Sequence, residues 1–351
     1  MNILILTGKF GMGHFSAAKA IEEKILSEHP DFNVTVIDLL EYMFPRFGKM
    51  AYRMFNFLVN KCPLVYNVFG GLAARGNNAP FKKIIARKVN CLLKKHCTDV
   101  VISTLPLCSQ YVATYKKIYH SNIILNTFIT DVSIHDEWIN KYTDLYFVPS
   151  GKTKDYLLSR KVDKDKIVVS GIPIKASFIA KSKYLKEKRV LIMGGGLGLI
   201  PSVDVFLDVL SHLKNVKVTL IVGKNEKMFH KYNHKYQNVL VIGFTNEVAK
   251  YMKDADLIIT KAGGITLFEA IQSETPLLII TPFLNQEIGN AKYIQEKGIG
   301  KVIWHKSDDL FVDVIRFLKD ETVLKEIRHN MRIIKAKMDK RSYLVNALGG
   351  F

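Results

Sequence analysis

The sequence predicts an α/β protein built from two doubly wound parallel sheets. Short apolar runs of strand length recur along the chain with helix-length stretches between them, and that alternation builds parallel sheets. A glycine-rich turn closes the first strand of each half, at Gly8–Gly13 and Gly194–Gly198, where a helix begins. The length, 351 residues, is enough for two domains of ordinary size, each with its own core.

In the first half, Ile3–Thr7 reads as a buried strand. Gly8-Lys9-Phe10-Gly11-Met12-Gly13-His14 follows, then a helix over Ser16–Ser27. The free amides of such a turn face a negative or electron-rich ligand. Its spacing is GxxGxG, not the GxGxxG of dinucleotide sites; Asp38, closing the strand Val34–Ile37, is what keeps a dinucleotide reading open. His14 is the candidate for proton chemistry, because the positive end of a helix favours the neutral imidazole. Strands over Asp99–Ser103, Ile123–Ile129, Leu145–Val148 and Ile167–Val169 complete the sheet. Asp131, just past one of them, is placed to orient His14 or share its work. Asp163-Lys164-Asp165 spells a DxD, but in a lysine-rich turn before a strand it reads as surface.

Lys175–Arg189 is rich in lysine and lacks periodicity, so a linker is expected there. The domains are then 1–174 and 190–320, with a helical C-terminal segment over 321–351. The second half restarts with the strand Val190–Met193, and Gly194, Gly195 and Gly196 bring backbone amides and a helix dipole to a phosphate. Strands Val216–Val222 and Val239–Ile242 end at Gly223 and Gly243. Leu257–Thr260, the turn Gly263-Gly264, a helix from Thr266 and the run Leu277–Thr281 make a βαβ unit, with Lys301–Trp304 as the last strand. Ligands of such sheets lie beyond the carboxyl ends of the strands. There Gly263-Gly264 and a loop over Pro282–Asn290 would emerge, carrying Thr266, Glu269, Gln286, Glu287 and Asn290. Glu269 can accept two hydrogen bonds from a ribose diol, and Gln286 and Glu287 can read sugar hydroxyls.

Composition narrows the class. Hydrophobic content of 48% and charged content of 24% are those of a globular protein. No apolar run reaches the roughly 18 residues of a spanning helix. The start, MNILILTGKFGMGH, has neither a basic n-region nor a cleavage site and reads as a strand. Cys62, Cys91, Cys97 and Cys108 lack CxxC spacing and are expected as reduced thiols of a cytosolic protein. The net charge of +19 is unevenly placed: residues 42–98 hold eleven Lys or Arg and no Asp or Glu. Such a block seeks an anionic surface. Phe47, Met50, Met54, Phe57 and Leu58 share a helical face opposite Lys49 and Arg53. Phe81, Ile85, Val89 and Leu92 do so opposite Lys82, Lys83 and Arg87, with Lys88 next to them. Two readings follow: helices that cover a sheet, or an interfacial pair for anionic lipid. With aromatic residues interleaved and no nucleic-acid module matched, the membrane surface is the expected partner.

Four stretches resemble one known family. Gly11-Met12-Gly13-His14 with Ser16-Ala17-Ala18 is similar to its GxGH-x-SAA opening, and Thr130-Asp131 with His135 and Trp138 to its TD…H…W segment. Gly171-Ile172-Pro173-Ile174 is similar to the close of its first domain. Thr260–Ala270, with Pro282, Gln286-Glu287 and Asn290, is similar to its donor site. The likeness runs in unbroken order from Met1 to about Trp304. On these motifs the chain resembles the monogalactosyldiacylglycerol synthase and processive diacylglycerol glucosyltransferase family, relatives of the transferase that makes lipid II. Met12 stands where that family often has a glycine, and Ala262 where it commonly has a proline.

The resemblance implies two Rossmann-like domains facing a central cleft, the GT-B type. It implies inverting transfer of a hexose from a UDP-sugar to the hydroxyl of diacylglycerol, with no metal and no cofactor. His14 would be the general base, with Gly194–Gly196 at the diphosphate, Phe244 and Thr245 at the uracil, Glu269 at the ribose, and Gln286 and Glu287 at the sugar. The basic segment 42–98 would dock the protein on the inner face of the cell membrane. A polyprenyl-linked acceptor, a UDP-sugar epimerase and a non-catalytic lipid or nucleotide sensor are the competing readings.

Overall fold

A computed structural model of the chain describes residues 1–9, 12–45, 82–179, 187–196, 198, 200, 203–282, 284–304, 310–338 and 342–344. It divides into two units, Met1–Ala176 with Met338–Phe351, and Ser177–Lys337.

The first unit is a parallel sheet of β1 (Asn2–Thr7), β2 (Asn33–Asp38), β3 (Val100–Ser103), β4 (Ile124–Phe128), β5 (Leu145–Val148) and β6 (Ile167–Val169). The order is β2-β1-β3-β4-β5-β6. β1 is central, and both its faces are covered, so it is apolar without a break from Ile3 to Leu6. Ile3 and Ile5 point to one face, packing with Ala18, Ile21 and Ile25 of the helix Gly13–Glu28. Leu4 and Leu6 point to the other, with Val89 and Leu92 of the helix Lys82–Lys95 and Val112 of the helix Pro106–Tyr119. Each fully buried Leu or Ile here contributes roughly 1.5–3 kcal/mol.

The second unit repeats the plan with β7 (Lys188–Met193), β8 (Val216–Gly223), β9 (Val239–Gly243), β10 (Leu257–Thr260), β11 (Leu277–Ile280) and β12 (Gly300–Ile303). Its order is β12-β11-β10-β7-β8-β9, again all parallel. The chain direction across the sheet reverses between β1 and β3 in the first unit and between β7 and β10 in the second. These are the two topological switch points, where crevices open beyond the strand ends.

Three expectations change. The linker expected over Lys175–Arg189 is shorter, since Lys188 and Arg189 belong to β7 and the division between units falls after Ala176; residues 180–186 lie outside the described residues. The segment 321–351 is not one helical piece. Glu321–Ala336 is a helix of the second unit, whereas Tyr343 and Leu344 enter the core of the first. Tyr343 sets its edge against Phe128 at 4.8 Å, its carbonyl accepts from Asn126 Nδ2 at 3.1 Å, and Lys24 Nζ sits 3.9 Å from its ring centre. The third change concerns the basic helix Lys82–Lys95. Its apolar stripe, Ile85, Val89 and Leu92, is buried in the core, so it is not available for insertion into lipid.

Candidate active site at the two switch points

In the first unit, β1 ends at Thr7 and the helix Gly13–Glu28 starts one turn later. Met12 precedes it with φ 67°, in the left-handed region that glycine enters at no steric cost. The N-cap residue Met12 makes no side-chain cap bond, so among the described residues the first-turn amides are left without a cap. Gly13 and His14 are its first two residues. Gly11 lies outside the described residues.

The half-buried His14 ring is held from the sheet. Its Nδ1 lies 2.6 Å from the hydroxyl of Thr130, beyond the end of β4, and Thr130 is only 3% exposed. Thr104, beyond the end of β3, has its hydroxyl 3.1 Å from the His14 carbonyl and 2.8 Å from the Thr7 hydroxyl. The orienting bond expected from Asp131 thus comes from its neighbour Thr130, because alternate residues leaving a strand end point to opposite sides. Asp131 acts on His14 through its charge. Burial pushes the His14 imidazole below its ordinary pKa, opposed by the Asp131 carboxylate and a backbone hydrogen bond at Thr104, and reinforced by His135. Burial likewise raises the Asp131 carboxyl, opposed by His14 and His135. Trp138, fully buried, has its ring centre 6.3 Å from that of His14. The Trp138 Nε1 finds no hydrogen-bond partner among the described residues. The net downward shift favours the neutral imidazole, the form that can act as a base, in a half-buried corner.

The second switch point is built from different material. Beyond β7, Gly195 turns with φ 71° and Gly223 at the end of β8 has φ 55°. A Cβ on Gly223 would meet the Gly196 carbonyl at 2.6 Å, so the turn can seat on β8 only without side chains. Lys224 N donates to that same carbonyl at 3.2 Å. Gly263 opens the helix Gly264–Ser273 without a side-chain cap, again leaving first-turn amides open. Thr266 places its hydroxyl by Gly263, and Glu269, half-buried, follows one turn later on the same helix. By contrast Ser150, Asn225 and Asp320 do cap their helices.

The expected loop over Pro282–Asn290 is a helix from Asn285 on, spanning Asn285–Glu296. Consecutive helical residues point about 100° apart. Gln286 is therefore exposed and Glu287 faces inward, 3% exposed. Glu287 Oε1 lies 3.6 Å from Lys261 Nζ, and its Oε2 is buried with no hydrogen-bond partner among the described residues. Asn290, 1% exposed, donates from Nδ2 to the Ala262 carbonyl at 2.9 Å and so ties this helix to the turn after β10. Phe244 and Thr245 follow β9. Phe244 is 58% exposed, and Lys224 Nζ lies over its ring, 5.5 Å from the centre; an exposed aromatic ring can stack on a planar base. The Thr245 hydroxyl accepts from Glu247 N at 3.0 Å.

Lys261 was not singled out by the sequence reading. It follows β10 directly, its Cε lies 3.9 Å from where a Gly195 Cβ would be, and it faces Glu287. A cation next to the carboxyl end of a central strand is the signal that could have found it. With the uncapped helix amides it brings positive charge to the second site, opposed there by the buried Glu287 side chain. Among the described residues no group of three or more His, Cys, Asp or Glu is placed to hold a metal ion. Asp163 accepts from Asp165 N at 3.1 Å within its own turn.

Of the residues expected at the membrane, Arg53 and Phe57 lie outside the described residues. Lys82, Lys83 and Arg87 are exposed on the outer face of their helix. Lys88 is not free to join them: its Nζ donates to the Met43 carbonyl and lies over the Phe44 ring at 5.5 Å. No helix among the described residues is long and apolar enough to cross a membrane. Cys91, Cys97 and Cys108 are free thiols, and Cys62 lies outside the described residues.

Comparison with known proteins agrees with this division. Residues 14–174 match the family model of monogalactosyldiacylglycerol synthase, and residues 189–340 that of the glycosyltransferase family 28 C-terminal domain. The chain is 28% identical to the processive diacylglycerol beta-glucosyltransferase of Bacillus licheniformis, over 94% of this chain and 90% of that one. It is also 28% identical to the enzyme of that name from Staphylococcus aureus, over 86% and 80%. Among solved structures, MurG of Acinetobacter baumannii superposes with a TM-score of 0.64 at 14% identity, covering 99% of each chain. UDP-GlcNAc 2-epimerase of Neisseria meningitidis does so with a TM-score of 0.57 at 15% identity, covering 97% of this chain and 100% of that one. The fold is thus shared by transferases and epimerases alike, and the two models that match this chain are named for transferases.

Proposed function

We propose, from the match of the first half to the monogalactosyldiacylglycerol synthase model and of the second to the family 28 C-terminal model, that the chain is a GT-B glycosyltransferase of this kind and moves a hexose from a UDP-sugar to the hydroxyl of diacylglycerol, with inversion, at a membrane surface. The observation that carries the reading is His14: a half-buried imidazole at the first switch point, held below its ordinary pKa, with one ring nitrogen engaged by Thr130. Such a ring takes the proton of an acceptor hydroxyl as that oxygen attacks the anomeric carbon. Attack from the face opposite the leaving diphosphate inverts the anomeric centre.

The donor is the work of the second unit. Phe244 stacks on the uracil, and Glu269 accepts the ribose hydroxyls. Gly194, Gly195, Gly196 and Gly264 approach the diphosphate with backbone amides and Thr266 with its hydroxyl, while Gly263, whose own amide donates to the Lys261 carbonyl at 2.8 Å, gives room by its lack of a side chain. Lys261 meets the charge that grows on the leaving group, in the role a divalent metal plays elsewhere. The Oε2 of Glu287, without a hydrogen-bond partner among the described residues, accepts from a sugar hydroxyl, and Gln286 closes over the sugar from its exposed position. Lys82, Lys83 and Arg87 hold the first unit against anionic headgroups, near an acceptor that lives in the bilayer.

A transfer assay tests this: labelled UDP-glucose and UDP-galactose, each offered to liposomes of diacylglycerol mixed with anionic lipid. Labelled glycosyldiacylglycerol from one donor is the expected product and names the sugar. Bound UDP with no product from either donor would mean a different acceptor, with polyprenyl-linked lipids next in line. Conversion of the free UDP-sugar to its epimer would replace transfer by epimerisation.

A further inference from the structure

We propose that Thr130 is the positioning residue for His14: its hydroxyl oxygen accepts the Nδ1–H hydrogen bond and so leaves Nε2 as the nitrogen that takes the acceptor's proton. This rests on His14 being the base in the reading above and goes beyond it, by naming the group that selects the reactive nitrogen.

The geometry is specific. Thr130 Oγ1 lies 2.6 Å from Nδ1, the short range of a strong hydrogen bond, between residues 116 apart in sequence. Thr130 is 3% exposed, so water does not compete for the contact. It stands on the sheet immediately beyond β4, whose register with β3 and β5 fixes it. His14 comes from the first turn of a helix packed on that sheet. Asp131, one residue on, contributes charge but no hydrogen bond to the ring among the described residues. The other groups facing His14 are His135, the backbone of Thr104 and the Trp138 ring.

The proton count identifies the state in which Thr130 matters most. As the acceptor O–H bond breaks, its proton bonds to Nε2, and the oxygen's electron pair forms the new C–O bond at the anomeric carbon. The bond from that carbon to the UDP oxygen breaks, and its electron pair leaves on the diphosphate. His14 is then an imidazolium, with both ring nitrogens as donors. In that state Thr130 Oγ1 can only accept, and the bond becomes charge-assisted. A neighbour that stabilises the imidazolium more than the neutral ring lowers the barrier.

Thr130→Val removes the acceptor and keeps the shape; Thr130→Ser restores the hydroxyl. In the full chain, Thr130→Val should lower kcat about 10-fold or more, the scale of one hydrogen bond to a charged group, with the KM for the donor unchanged. The acid limb of the kcat profile should move to lower pH, because a less stable imidazolium loses its proton sooner as pH rises. Thr130→Ser should return both toward wild type. Packing damage alone would lower the rate without moving the limb and would not be reversed by Ser. The His14 Cε1–H titration by NMR, assigned with His14→Gln, needs no substrate and should shift the same way. Wild-type kcat and an unmoved His14 titration in Thr130→Val would overturn the assignment. A wild-type protein that transfers no sugar to diacylglycerol overturns the acceptor reading alone, and the NMR titration then decides Thr130.

Discussion

The two units share one plan, a six-stranded parallel sheet with a crevice at its switch point, yet the crevices are furnished in opposite ways. The first is lined by a threonine hydroxyl, an imidazole, a carboxyl and an indole, buried enough that desolvation is the largest influence on the pKa of His14 and Asp131. The second is lined by glycine turns, uncapped helix amides and one lysine facing a buried glutamate. One corner is suited to moving a proton, the other to receiving a diphosphate. The fold supplies two equivalent places, and the residues at the strand ends decide the chemistry of each.

Exchanging defects between the corners breaks this comparison most sharply. His14→Ala should cut turnover at least ~100-fold, the scale of a general base, while UDP affinity by calorimetry stays near wild type. Lys261→Ala should differ by weakening UDP binding about tenfold or more, in addition to slowing turnover. Equal effects of the two substitutions on both quantities would end the division of labour.

A second test asks whether the returning tail belongs to the first unit energetically. Tyr343 is 8% exposed and packs on Phe128 and Phe147. Tyr343→Ala should remove about 3–5 kcal/mol from that unit, the range for losing a large buried ring. Hydrogen exchange read by mass spectrometry should speed up in β1 and β4 and stay unchanged in β7 and β10. Faster exchange in both sheets alike would show that the units unfold as one.

The smallest effect expected is at the basic helix. Each exposed cation near an anionic membrane contributes about 1 kcal/mol. Lys83→Gln with Arg87→Gln should weaken binding to anionic liposomes by roughly tenfold or more at low salt, whereas Lys88→Gln, already engaged with Met43, should leave it within about twofold. Equal losses from both variants would return Lys88 to the lipid-facing set.

Much of this was legible in the residues alone. β1, β7 and β10 are read from unbroken apolar runs, because a strand covered on both faces must be apolar at every position. The glycine turns are read from glycine itself, since Gly195 and Gly223 occupy a backbone region closed to most other residues. His14 is read from its place just after such a turn. These are local features, and neighbouring residues suffice to determine them. Only the tertiary structure decided the rest. Thr130 rather than Asp131 holds the His14 ring, because that depends on how β4 registers against β3. Glu287 points in and Gln286 out, because the stretch is the first turn of a helix and not a loop. The helix Lys82–Lys95 has the amphipathic face of a membrane binder, yet its apolar side is occupied by β1 and β3. Periodicity says that a face must be buried; what buries it is settled by contacts between residues far apart in sequence.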